Sequence, residues 1–537
     1  MKTKCISRLF PAAAALLAVS AVVFFIITNL TIRLEPLGTY RTGIFDKSAA
    51  EITAYDPKTK RVFVTNVAAR GIDILDISRP QEPKLFKRID LSGFGSHANS
   101  VTVINGIIAV AVENIISTDP GLVVFFDADG NFLNKLAVGA MPDMLTFTPD
   151  GKYLLVANEG EPNKDYTIDP EGSVSMISVP ADRSRVAGLT DKDVTTLSFA
   201  PFNEKPRDPK IRIFGPHATL ARDLEPEYIT VSPDSRRAWV TLQENNAVAV
   251  IDLAARTVTG LFALGAKDHR TSPLDASDQD GRINITGWPV KGLYLPDGIA
   301  AFAHRGRTYL VTANEGDSRD YAGFSEEKRV KDLTLDPGAF PQAAALQQDD
   351  ALGRLTVTTV NGDSDGDGDY DALYAFGGRS FSIWTGEGKQ IFDSADEFER
   401  IIADQFPRNF NSNNSQNHSF DKRSDNKGPE PETVVIGRIF SKQYAFIALE
   451  RMSGIMVYDI TNPRRPRFVQ YMSNRDFSGD PEKDSAGDLG EEGLIFVKAH
   501  DSPIHSPLLI AANEVSGSVT IYRIHPAFYR PKPAAIF

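Results

Sequence analysis

A chain of 537 residues with 42% hydrophobic side chains can bury a large core, and 40 Gly with 33 Pro supply turns for many short strands. A net charge of −12 excludes nucleic acid as a partner, because a phosphate backbone needs basic side chains. The lone cysteine, Cys5, excludes disulfides and any thiolate ligand or nucleophile from the rest of the chain.

Lys2, Lys4 and Arg8 precede an almost unbroken apolar run, residues 9–30, which is the pattern of an export signal. The run is also long enough for a spanning helix of roughly 20 residues. Cleavage at the AVSA stretch, residues 18–21, would leave apolar residues 22–27 on the mature protein. Residues 1–31 therefore read as a signal or an uncleaved amino-terminal membrane anchor. The remainder is exported, periplasmic or extracellular, either tethered or secreted after cleavage.

From Glu51 onward a repeat can be followed. Each unit opens a first strand beside an acid or amide: Glu51, Asn99, Asp143, Glu227, Asp297, Glu432 and Glu492. Its second strand ends at another: Asn66, Glu113, Glu159, Glu244, Glu315, Glu450 and Glu514. Third strands such as GIDILDIS and GIMVYDIT follow, then fourth strands such as PKLFKRIDL and PRFVQYM. About seven units of about four strands predict an all-β, seven-bladed β-propeller. Ile32 to Tyr40 has the character of a fourth strand with no unit before it, and the last unit lacks one. The amino-terminal strand is expected to complete the final blade. Residues 32–525 thus form one propeller domain and 526–537 a tail. The fifth blade carries long loop insertions over about 318–430. They include a helix near 393–403 capped by Ser394, with Glu397 three residues on, and an Asn-rich stretch, 409–417, whose first part reads as disordered.

In a propeller the two acid sets converge on one mouth of the central channel. Such an array requires cations or protons, unless the acids are spent capping turns. The candidate ligands are Asp143, Glu159, Glu227, Glu244, Asp297, Glu315, Glu432, Glu450, Glu492 and Glu514. Oxygen donors without thiolate favour Ca²⁺ or Mg²⁺ over zinc. A second group lies on Asp363, Asp365, Asp367, Asp369 and Asp371, where alternating acids and Gly368 match the first half of an EF-hand-like calcium loop. Tyr374 replaces the bidentate Glu, so this is an isolated loop and not an EF-hand. Asp278-Gln279-Asp280-Gly281 is a weaker copy and reads as an ordinary turn. Arg423, Lys427 and Arg379 are the candidate contacts for an anion beside a metal. His97 reads as structural.

ANEG (157–160), ANEGDSRDY (313–321), FGGRSFSIW (376–384), RSDNKGPEPE (423–432) and ANEVSG (512–517) resemble the choice-of-anchor I family. That family is related to mesenchyme-specific cell-surface glycoproteins, and its members are often labelled alkaline phosphatase-like. The resemblance implies a secreted or surface propeller and assigns no catalytic residue. Three functions follow. The first is a membrane-anchored calcium-binding module that meets a surface partner or a phosphorylated or anionic ligand. The second is a metal-dependent phosphoesterase with calcium and a second divalent or iron ion. The third is a calcium-dependent lactonase or esterase.

Overall fold

Second strands such as Arg61–Asn66 are buried almost throughout, and their apolar residues run consecutively because both faces pack against neighbouring sheets. Val62 and Val64 pack toward the carboxyl-terminal sheet, and Phe63 toward the next sheet along the chain. The same split puts Leu154 and Val156 in one core and Leu155 and Ala157 in another. Period-2 geometry thus sends each strand's side chains into two different cores.

The computed structural model describes residues 30–205 and 208–528. The signal or anchor reading of residues 1–29 and the tail beyond 528 lie outside the described residues. Among those described, seven four-stranded antiparallel sheets follow one another around a ring. The first four consist of consecutive strands, from Thr53–Asp56 to Thr257–Ala263. The fifth joins Ile299–His304 and Arg307–Asn314 to Ser380–Thr385 and Gln390–Asp393, and the sixth runs from Pro431–Ile439 to Arg467–Met472. The seventh pairs Glu491–Val497, Leu508–Asn513 and Ser518–Phe528 with Leu30–Arg41 at its outer edge. The amino-terminal strand therefore latches the ring as expected. Each sheet shares a hydrophobic core with the next, and Ala50, Val62, Leu508 and Ile521 close the last core against the first.

The insertion is larger than the sequence reading puts it, and it has its own core. Segments before and within the fifth blade build a five-stranded sheet from Ala266–Asp268, Lys291–Leu293, Tyr374–Ala375, Thr356–Thr358 and Glu327–Arg329. Beneath it pack Leu274, Val330, Phe340, Leu355 and Leu373. Two- and three-residue strands leave no periodic signal, so this sheet escapes sequence reading. The helix is Glu397–Gln405, and Asp396 stands at its amino-terminal cap. Ser394 is not the cap; its hydroxyl accepts from the Phe381 amide instead. Nor is the Asn-rich stretch a disordered loop: Asn411, Ser412, Asn414 and Asn417 are buried and hydrogen-bonded.

Candidate functional site

A β-bulge aims the first set of acids. In five blades the pairing of first and second strands slips by one residue at the start of the blade: between Ala98 and Ser100, Pro142 and Leu145, Pro226 and Ile229, Pro431 and Val434, and Glu491 and Gly493. The skipped positions include Asn99, Asp143, Glu227, Glu432 and Glu492. A bulge leaves one residue unpaired and re-aims its side chain, and here each turns into the channel mouth. The second set is aimed by an Asn one residue earlier. Asn158 donates to Ser173 and Ser175, Asn314 to Ser380 and Ser382, and Asn513 to Ser518. With that amide locked into the third strand, the following Glu159, Glu315 or Glu514 leaves the sheet at its end.

The mouth is a cavity of about 460 Å³. Asp143, Glu227, Asp297, Glu315, Glu432, Glu450, Glu492 and Glu514 all line it, together with Glu51, Asn99 and His97. His97 lines the mouth and its Nε2 lies 3.0 Å from a Glu113 carboxylate oxygen. Asp317 also lines the cavity, and nothing in the strand repeat marks it out. Glu159 joins Asp143 and Glu227 in a triad whose oxygens lie within 4.8 Å of one another. Asp297, Glu432 and Glu492 form a second such triad, and Glu315, Glu430 and Glu450 a third.

The triads differ in how their charge is met. The third is matched by cations: Lys427 Nζ lies 2.7 Å from Glu315 and 3.5 Å from Glu430, and Arg451 lies 2.8 Å from Glu430 and 3.1 Å from Glu450. Arg423 adds a further pair to Glu430. These cations hold the Glu430 carboxyl well below its usual range against the opposing effect of burial. Arg451, directly after Glu450, plays a part that sequence reading missed. Among the described residues no Lys, Arg or His makes an ion pair with the six acids of the first two triads. Burial, then neighbouring carboxylates, pushes Asp143 up to about 7 and Asp297 up to about 8. The same causes raise Glu159, Glu227, Glu432 and Glu492 well above the carboxylate range. The Oε2 atoms of Glu432 and Glu244 are buried without any hydrogen-bond partner. Glu244 is pushed up to about 7, mainly by burial, although Arg319 opposes the shift.

The remaining candidates lie elsewhere. Asp363, Asp365, Asp367, Asp369 and Asp371 form an exposed turn of the insertion and do not line the mouth. Asp363 accepts from the amides of Gly366 and Gly368, Asp365 from Asp367, and Asp371 from Ser364. Asp336, far upstream and unmarked by any motif, joins Asp369 and Asp371 in one triad, while Asp363, Asp365 and Asp371 form another. Arg379 is buried and spent on Glu399 and on the carbonyls of Asp275, Ser424 and Asn426. Of the three candidate anion contacts, only Lys427 reaches acids that line the mouth.

The sequence profile of the choice-of-anchor I domain matches residues 51–463. The chain belongs to the choice-of-anchor I family. Gigasin-3a of Magallana gigas is 28% identical over 191 residues, 34% of this chain and 67% of that protein. The mesenchyme-specific cell surface glycoprotein of Strongylocentrotus purpuratus is 29% identical over 280 residues, 46% of this choice-of-anchor I chain and 36% of the glycoprotein. Among solved structures, Kuenenia stuttgartiensis hydrazine synthase aligns over 90% of this chain and 99% of its own at 12% identity, with a TM-score of 0.45. The Cps50 (Swd1) β-propeller domain of Myceliophteria thermophila aligns over 91% and 99% at 9% identity, with a TM-score of 0.43. Among the described residues no helix is long and apolar enough to cross a membrane.

Proposed function

We propose that this choice-of-anchor I propeller is an exported cell-surface module that binds divalent cations, calcium foremost, at its channel mouth. One observation carries the reading. Two carboxylate triads, Asp143–Glu159–Glu227 and Asp297–Glu432–Glu492, have no basic partner among the described residues, while the neighbouring triad pairs with Lys427, Arg423 and Arg451. The donors are all hard oxygens, which suits calcium rather than a thiolate-seeking metal. The unpartnered Oε2 of Glu432 supports the same reading, since a buried oxygen left unpaired costs about 1–3 kcal/mol.

The surface location rests on family membership and on the sea-urchin relative, which is named as a cell-surface glycoprotein. Residues 1–31 would supply the signal or anchor. Catalysis ranks second, because Lys427, the candidate anion contact that reaches acids of the mouth, is already held by Glu315, Asp317 and Glu430. Metal content of the full chain, purified without chelator, tests the reading. Stoichiometric calcium that falls in the Glu432→Gln variant is the expected result. No bound metal, with no change in melting temperature on adding calcium, would overturn it.

A further inference from the structure

Beneath the insertion lies a second group of oxygens, apart from the mouth. Asp275 and Asp280 come from the segment before the fifth blade, Glu399 from the helix Glu397–Gln405, and Asn411 and Asp421 from the loop that follows. Asp275 and Asn411 are 0% exposed, Glu399 and Asp421 1%, and the Asp280 side chain 4%. Hydrogen bonds tie these segments together. The Asp275 amide donates to Glu399 Oε2. Asn411 Nδ2 donates to Glu399 Oε1 and to Ser424 Oγ, and that hydroxyl donates to Asp421 Oδ1. Because both Nδ2 bonds run to acceptors, the orientation of the Asn411 amide is fixed and its Oδ1 faces the other way.

Three oxygens in this knot accept no hydrogen bond: Asp280 Oδ2, Asn411 Oδ1 and Asp421 Oδ2. Four carboxylates meet two cations, Arg379 on Glu399 at 2.7 Å and the exposed Arg282, whose Nε lies 3.5 Å from that same Asp280 Oδ2, beyond close hydrogen-bonding contact. Asp275 accepts only backbone amides, from Ser277 and Asn284. Burying unpaired carboxylates costs several kcal/mol each unless a charge of opposite sign joins them. Two negative charges in excess, with Asn411 Oδ1 and Asp421 Oδ2 buried and without a partner, match what a hard divalent cation binds.

We propose that Asp280, Asn411 and Asp421, braced by Asp275 and Glu399, hold one calcium-class cation that clamps the insertion onto the fifth and sixth blades. Asp280 is the ligand in its DQDG turn. Asp278 is not, since Arg354 and Lys422 already pair with it.

The competing account is a protonated Asp421 that donates to Asn411 Oδ1. Asp421→Asn separates the two, because its amide imitates the protonated acid. The full chain, purified without chelator, is compared with Asp421→Asn and with the mouth variant Asp297→Asn/Glu432→Gln, by calcium content and by melting. The expected result is that Asp421→Asn loses one calcium equivalent that the mouth variant keeps, and melts lower. Asp421→Asn that keeps the full calcium content and melts at or above the parent overturns the proposal. If that variant does not fold, the parent and the mouth variant still decide. Calcium chelation should open the 409–426 loop to protease in both, and equal resistance with and without chelator in both refutes the clamp.

Discussion

On the proposed reading of the mouth as a calcium site, the calcium-free propeller should lose stability as pH rises, the reverse of ordinary acid denaturation. Glu244 shows the size of the effect. Its side chain is 8% exposed, and burial lifts its carboxyl from an ordinary 4.5 to about 7. At about 1.4 kcal/mol per pH unit, that is about 3 kcal/mol. The sign follows from proton counts. A carboxyl with a raised folded pKa binds more protons folded than unfolded between about pH 4.5 and 7, so its contribution is present below 4.5 and lost as pH climbs through 7. Asp143, at about 7, and Glu51 and Asp297, at about 8, act in the same direction and extend the loss to about pH 8. With roughly 500 ordered residues at about 2.1 cal/mol/K each, about 3 kcal/mol reads as about 3 °C. The assay is calorimetry of chelated and calcium-loaded full chain at pH 5, 6.5 and 8. The chelated protein should melt lower at pH 8 than at pH 5, and calcium's stabilisation should grow with pH as it replaces protons. A chelated protein that melts higher at pH 8, or a calcium shift independent of pH, would refute the reasoning.

Lys427→Met should cost about 3–5 kcal/mol by leaving Glu315 and Glu430 facing each other buried, and urea unfolding would register it. Leu34→Ala, in the strand that latches the ring, should cost about 2–5 kcal/mol in the same assay, because Leu34 is 1% exposed. Trp239→Phe removes the 2.9 Å indole bond to the Gly386 carbonyl and should cost about 1–3 kcal/mol; an unchanged denaturation midpoint would mean that this buried carbonyl finds another donor. Asn158→Ala frees Ser173 and Ser175 and loosens the aim of Glu159. Calcium affinity should drop more than stability does, as read by calcium titration calorimetry beside urea melts.

What was legible in the sequence was whatever repeats with a strand's period. Pro142 to Phe147 and Tyr153 to Asn158 announce themselves because a strand between two cores must be apolar on one face or both, and because the acid stands at the same offset in unit after unit. The latch was legible for a related reason: an orphan fourth strand at one end and a missing one at the other have one joint solution. The matched triad was not legible. Lys427, Arg451 and Glu430 come from a loop and two strand ends, and nothing in their spacing says that Lys427 would neutralise Glu315 rather than meet an anion. The buried cage was hidden more deeply still, because its ligand Asn411 lies in a polar stretch that composition reads as disorder. Such a stretch orders when its amides have partners to satisfy. Asn414 donating to Glu450, and Asn417 to the carbonyls of Asp476 and Gly479, supply the partners that hydropathy cannot see. The same logic separates the two acidic turns. The Asp363 turn satisfies much of its own charge through its own amides, whereas Asp280 and Asp421 come from segments that precede and follow the fifth blade in the chain, and each keeps a buried oxygen without a hydrogen bond.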